Sequence, residues 1–251
     1  METIISIIMP WVGTILGSAV IFFVGEKLDM RIEKILYGFA SGIMMAASFF
    51  SLLEPALNYE NVSIIEVAVG FIVGMMFLLV IDTITPHFHV MSNEVEGIKN
   101  NLSKTTLMFL AIAIHNIPEG MAVGVGLLGS DMGISTTSVM ALSLGIALQN
   151  IPEGTIIALP FYEQNGSKFK SFIIGTISGI VEPLALIITL MFSNFFKLYL
   201  PFLLSFAAGA MIYVVIEELI PASQNGSHSN ISTIGFMFGF VLMMVLSVIL
   251  G

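Results

Sequence analysis

The chain has 251 residues, 57% of them hydrophobic and 10% charged, with a mean hydropathy of +1.01. A soluble domain carries about 25% charged residues, so a water-soluble globule is excluded and a polytopic membrane protein is indicated. A net charge of −9 offers no basic patch to nucleic acid, and the absence of cysteine removes disulfides, zinc–thiolate sites and thiol catalysis.

A membrane-spanning helix needs about 20 mostly apolar residues. Eight segments meet that requirement: 4–25, 34–57, 64–84, 105–128, 135–160, 170–195, 200–221 and 231–250. They predict an all-α protein with eight transmembrane helices in one domain over 1–251. The first segment has no basic residues before it and is too long for a secretory h-region, so it reads as helix 1 and not as a signal peptide. The connection 86–104 is the longest and most polar.

Basic residues orient the helices. Lys27, Arg31 and Lys34 lie between helices 1 and 2, Lys99 and Lys104 precede helix 4, and Lys168 and Lys170 precede helix 6. Only Lys197 lies on the opposite side. The positive-inside bias puts the connections before helices 2, 4 and 6, including the loop 86–104, in the cytoplasm and both termini outside.

Helices 1 to 3 share short strings with helices 6 to 8. "GTILG" (13–17) matches "GTISG" (175–179), "FASGIM" (39–44) matches "FAAGAM" (206–211), and "GFIVG" (70–74) matches "GFMFG" (235–239). The offsets are 162, 167 and 165, in the same order. The two triplets start on opposite sides of the membrane. They are therefore expected to be inverted repeats, 1–84 and 170–251, around helices 4 and 5 (105–160), a 3+2+3 arrangement typical of transporters.

Helix 4 carries "HNIPEG" (115–120) and helix 5 "QNIPEG" (149–154). His115 and Glu119 share a helix face, as do Gln149 and Glu153, with Asn116 and Asn150 three residues before each carboxylate. Pro118 and Pro152 cannot donate a backbone hydrogen bond and loosen the carbonyls of Ile114 and Leu148. Helix 6 adds Glu182 beside Pro183. Each carboxylate at a helix centre costs about 2.5–3.5 kcal/mol to insert. No basic residue lies close by in these helices, so protons or a bound cation must neutralise them. Carboxylates, amide oxygens and one imidazole suit zinc, iron(II) or manganese(II) better than calcium or magnesium. Glu54, Glu217 and Glu218 read as interfacial, and His228 is assigned no role.

Two other readings compete. A membrane metalloenzyme would need a motif such as H-E-x-x-H or a doubled E-x-x-H, and neither occurs. A channel, or a proton-coupled carrier of another solute, needs only midplane carboxylates and leaves the histidine and amides without a purpose.

The paired H-N-x-P-E-G and x-N-x-P-E-G strings and the helix pattern resemble the ZIP (Zrt-, Irt-like) family of divalent-metal transporters, nearest its GufA-like prokaryotic branch. The resemblance covers nearly the whole chain. It implies uptake of zinc first, and also iron, manganese or cadmium, into the cytoplasm across the cell membrane, with the lipid bilayer as its setting and a homodimer as the assembly. It implies a first metal held by His115, Glu119, Gln149 and Glu153. A second would be held by Asn116, Asn150 and Glu182, with Glu119 and Glu153 as bridges. It also implies that helices 1, 4, 5 and 6 move against 2, 3, 7 and 8. This chain has Gln149 where many members carry histidine and Asn150 where some carry aspartate. Its third connection keeps only His87 and His89 of what is elsewhere a histidine-rich loop.

Overall fold

A computed structural model gives the fold and describes residues 2–25, 28–85, 87–88, 95–96, 103–224, 226 and 229–250. Lys27, His89, Lys99 and His228 lie outside the described residues. Among the described residues, eight helices are long and apolar enough to cross a membrane. They are α1 (Thr3–Phe22), α2 (Met30–Leu57), α3 (Ile64–Ile84), α4 (Lys104–Ser130), α5 (Thr136–Asn165), α6 (Lys168–Met191), α7 (Ser193–Gln224) and α8 (Ile231–Leu250). Between α3 and α4, β1 (His87–Phe88) pairs antiparallel with β2 (Val95–Glu96).

The helix starts follow from capping chemistry. Asp29, Ser63, Ser103, Ser135 and Ser167 each accept a backbone N–H from the first turn of α2, α3, α4, α5 and α6. The Asp29 cap, taking Arg31 N–H at 2.7 Å, starts α2 four residues earlier than hydropathy alone predicts. α5 runs on to Asn165 and stops at Gly166, whose φ of 66° closes the helix in the left-handed region.

Two helices differ from the expectation. α6 is broken: one piece ends at Ser178 and the next begins at Val181, with Glu182 in its first turn. Pro183 has no N–H to lose there, so it fits the start of the second piece. The stretch 196–199, left between the expected helices 6 and 7, is helical and continues from 193–195 into α7. Its Lys197 pairs with Asp131 at 2.6 Å, tying it to the α4–α5 turn.

Wide π-helical turns interrupt α2 at Ala47–Leu53 and α7 at Val215–Leu219. Each ends just before a Pro-Ala pair, at Pro55–Ala56 and Pro221–Ala222, and a proline's missing N–H is accommodated by such widening.

The most extensive packing joins α2 to α8, α1 to α5, α3 to α7 and α4 to α6. Glycine lets backbones touch in these pairs. Gly42 of α2 lies on the Phe236 carbonyl of α8, and Gly209 of α7 lies on the Phe71 carbonyl of α3. Gly74 of α3 meets Phe206 of α7, and Gly239 of α8 meets Phe39 of α2. These contacts interchange under the offsets 167 and 165 read from the sequence. α5 is the central helix, with 78% of its apolar window buried, whereas α8, at 17%, lies on the lipid-facing rim.

Candidate metal centre

The two Asn-Ile-Pro-Glu-Gly strings lie inside helices α4 and α5, joined by the tight turn at 131–135. α1 packs along α5, with Gly13 and Gly17 against the carbonyls of Ala147 and Ile151 on either side of Gln149 and Asn150. Gly120 brings α4 onto the Glu182 carbonyl of α6. A methyl group at any of these glycines would strike backbone. The small residues of the motif therefore set the approach of the helices that carry its polar ones.

A chain of side-chain hydrogen bonds runs from Glu119 to Glu182. Gln149 Nε2 donates to Glu119 Oε1 and, at 3.2 Å, to Asn150 Oδ1. Asn150 Nδ2 donates to Glu182 Oε2 at 2.8 Å and to the Pro10 carbonyl at 3.1 Å. Thr14 Oγ1 donates to the other Glu182 oxygen at 3.3 Å. The break in α6 leaves carbonyls without helical partners, and Asn116 Nδ2 donates to one of them, at Ser178, at 3.3 Å.

Glu119, Gln149, Asn150, Asn116 and Glu182 are buried, each no more than 1% exposed. Glu153 is half-buried and lies within electrostatic reach of Glu119 and Glu182. Within this group of side chains, three buried oxygens have no hydrogen-bond partner among the described residues: Asn116 Oδ1, Glu119 Oε2 and Gln149 Oε1. A buried polar atom left in this way costs about 1–3 kcal/mol, so these three oxygens favour an electropositive partner. By contrast, both Glu182 oxygens and the Asn150 amide are already engaged.

His115 also lies against a second set of residues. It lies on α4 with Nε2 3.9 Å from Glu218 Oε1 of α7. Asp82 of α3 completes a group whose ligand atoms all lie within 4.8 Å of one another. Tyr213 Oη donates to Asp82 Oδ2 at 2.9 Å. Among the described residues this is the one group of three acid or imidazole side chains that closes to such a distance. Glu218 is thus not simply interfacial: the π-helical turn Val215–Leu219 carries it and its side chain is 19% exposed, whereas Glu54 and Glu217 are exposed as expected.

The sequence reading assigned Asp82 and Tyr213 no role. The signal was weak: Asp82 is a lone acid in "FLLVIDTI", but it lies two residues from the end of its helix, where an acid reads as interfacial. Oxygen and imidazole donors on five helices, with no ammonium or guanidinium paired to Glu119, Glu153 or Glu182 among the described residues, make a donor set for a borderline divalent cation.

Eight membrane-crossing helices around such a donor set define a multi-pass membrane transporter of divalent metal ions. The family model for the ZIP zinc transporter matches residues 89–247. The chain is 34% identical over 244 residues to zinc transporter ZIPB of Bordetella bronchiseptica, covering 90% of this chain and 74% of that protein. It is 33% identical over 250 residues to zinc transporter GufA of Myxococcus xanthus, covering 95% and 96%. Zinc transporter ZIP11 of Homo sapiens is 29% identical over 334 residues, covering all of this chain and 97% of that protein. The chain belongs to the ZIP family, close to its GufA-like branch, and is a transporter and not an enzyme.

Proposed function

We propose that this protein carries divalent transition-metal cations, zinc first and iron, manganese or cadmium as further substrates, into the cytoplasm through the site on α4, α5 and α6. Asn116 Oδ1, Glu119 Oε2 and Gln149 Oε1, buried without partners, are the observation that carries this reading. An incoming cation sheds water, takes Glu119 Oε2, Gln149 Oε1 and Glu153, and has its charge offset by the two carboxylates, with Asn116 Oδ1 open beside it on the second set. His115 adds a nitrogen ligand that favours zinc.

The first metal set, His115, Glu119, Gln149 and Glu153, is the receptive one. The second, Asn116, Asn150 and Glu182 bridged by Glu119 and Glu153, has its Asn150 and Glu182 atoms bonded to each other, so it takes an ion less readily. Asp82 and Glu218 face His115 from α3 and α7. They are the next ligands for an ion that His115 hands on.

The movement follows from how the helices are locked. The backbone-on-backbone glycine contacts join α1 to α5 and α4 to α6, or α2 to α8 and α3 to α7. Between the two sets {α1, α4, α5, α6} and {α2, α3, α7, α8}, the glycine contact is with side chains: Gly145 against Met243 and Ile43. Two internally fixed bodies with a side-chain seam support a carrier in which the first set slides on the second. The interchange of glycine contacts and the matched π-helical turns support the inverted repeats 1–84 and 170–251. In the orientation set by the basic loops, both termini lie outside the cell membrane and the connection 86–104 lies inside.

The test is zinc uptake by reconstituted protein into liposomes containing a zinc-sensitive dye. Glu119→Gln or Glu153→Gln is expected to abolish uptake while the protein still inserts. Wild-type rates in both variants would overturn the reading.

A further inference from the structure

A small cavity of about 60 Å³ lies between the start of α2 and the end of α5, away from the hydrogen-bonded centre. That is room for an ion with a few of its waters. Its apolar wall is Ile156, Leu159 and Pro160, and its polar groups are Glu33, Tyr37 and Glu163. Glu33 is half-buried, faces Glu163 across the cavity, and has Asp29 as a further acidic neighbour. Among the described residues, neither Glu33 nor Glu163 makes an ion pair or a hydrogen bond.

Like charges converging on a cavity without a cation are a cost to the fold. Acidic side chains at a membrane surface can disperse into water, so the pair alone does not mark a site. Tyr37 does. It lines the cavity, is only 8% exposed, and makes no hydrogen bond to any described residue, although a buried tyrosine normally finds a partner for its hydroxyl. Tyr37 is one helical turn from Glu33 on α2, the exposed Glu163 is one turn beyond Pro160 on α5, and all three line the same cavity.

We propose that Glu33, Glu163 and the Tyr37 hydroxyl bind a partly hydrated divalent cation in this cleft. The proposal deepens the transport reading and rests on it: the cleft receives the cargo on the side where α5 ends. Tyr37 also lies within electrostatic reach of Glu153 and Glu218. The cleft's ligands are all oxygen. An oxygen-only set without imidazole holds zinc less tightly than the His115 set, as a receiving site requires if the ion is to leave. Because α2 and α5 belong to the two different sets of helices, sliding would change the distance between Glu33 and Glu163. The cleft would then be made and unmade in each cycle.

The test is calorimetric titration of zinc into the full chain in lipid nanodiscs. It is run on the wild type and on a variant with Glu119→Gln, Glu153→Gln and Glu182→Gln. In each background, Glu33→Gln with Glu163→Gln is expected to remove one equivalent of bound zinc, and Tyr37→Phe to weaken that equivalent about fivefold. Unchanged stoichiometry in both backgrounds would overturn the cleft site. Zinc uptake separates the two proposals: the transport reading fails if the triple variant still transports, whatever the titration shows. In the wild-type background, Glu33→Gln with Glu163→Gln is expected to slow uptake severalfold, and an unchanged rate would overturn the cleft's part in the route.

Discussion

Gln149 donates one amide group to both Glu119 and Asn150, and so joins the two Asn-Ile-Pro-Glu-Gly motifs across the α4–α5 interface. A glutamine in this place does two jobs. Its Nε2 group holds the Glu119 carboxylate in one orientation, and its own Oε1 is left facing the site.

Replacing Gln149 by leucine removes both. Each lost buried hydrogen bond leaves an acceptor exposed to a cost of about 1–3 kcal/mol, so zinc binding is expected to fall at least tenfold. Gln149→His keeps a donor and exchanges an amide oxygen for an imidazole nitrogen. It is expected to retain uptake and to shift selectivity toward zinc over manganese. Competitive uptake of the two metals in proteoliposomes checks both outcomes.

Asn150 decides how many ions the centre holds. Its amide spans from Glu182 Oε2 to the Pro10 carbonyl and neutralises no charge. Asn150→Asp removes both donations and adds a carboxylate beside Glu182. The structure then favours a second cation where the amide hydrogens had been. Zinc bound per protein, measured by equilibrium dialysis, is expected to rise by one equivalent at the metal centre, and Glu182→Gln in the same chain to return it to the parent value.

Legibility from sequence follows the range of the interaction. The helices, their capping serines and the paired motifs depend on residues within a few positions of one another, and patterns such as "HNIPEG" and "QNIPEG" display them directly. The glycine matches at offsets 162, 167 and 165 were readable too, because close backbone contact admits few residue types. The grouping of Asp82, His115 and Glu218 was not. It depends on α3 and α7 meeting α4 across long stretches of chain, and each acid alone looks like an ordinary helix-end residue. The break in α6 was half-visible. Pro183 marked an irregularity, but the stop at Ser178 is stabilised by Asn116 of another helix, which no local pattern records.

Asp82 and Tyr213 offer a graded pair of tests for the second group. If an ion passes from His115 toward Glu218 and Asp82, Asp82→Asn and Glu218→Gln should lower the maximal uptake rate at least tenfold. Zinc affinity at the Glu119–Gln149 centre should remain within about twofold of wild type. Tyr213→Phe removes only the hydrogen bond to Asp82. At about 1 kcal/mol for such a bond, its effect on rate should be near fivefold. Equal effects from all three substitutions would point to a packing role for the group.

The seam between the two sets of helices can be tested by cross-linking, which the absence of native cysteine makes clean. Gly145 of α5 and Met243 of α8 touch across the seam. Ser51 of α2 and Ser247 of α8 lie within one set, their hydroxyls 3.1 Å apart. A disulfide needs Cβ atoms about 3.8 Å apart, and the close contact at each pair makes it the pair to test. Gly145→Cys with Met243→Cys is expected to stop zinc uptake on oxidation and to recover it on reduction, because the bond pins a sliding body to its support. Ser51→Cys with Ser247→Cys is expected to form its bond and leave uptake near the parent rate. Transport that survives the first cross-link would mean that ions cross without the helices sliding, and the seam would then be ordinary packing.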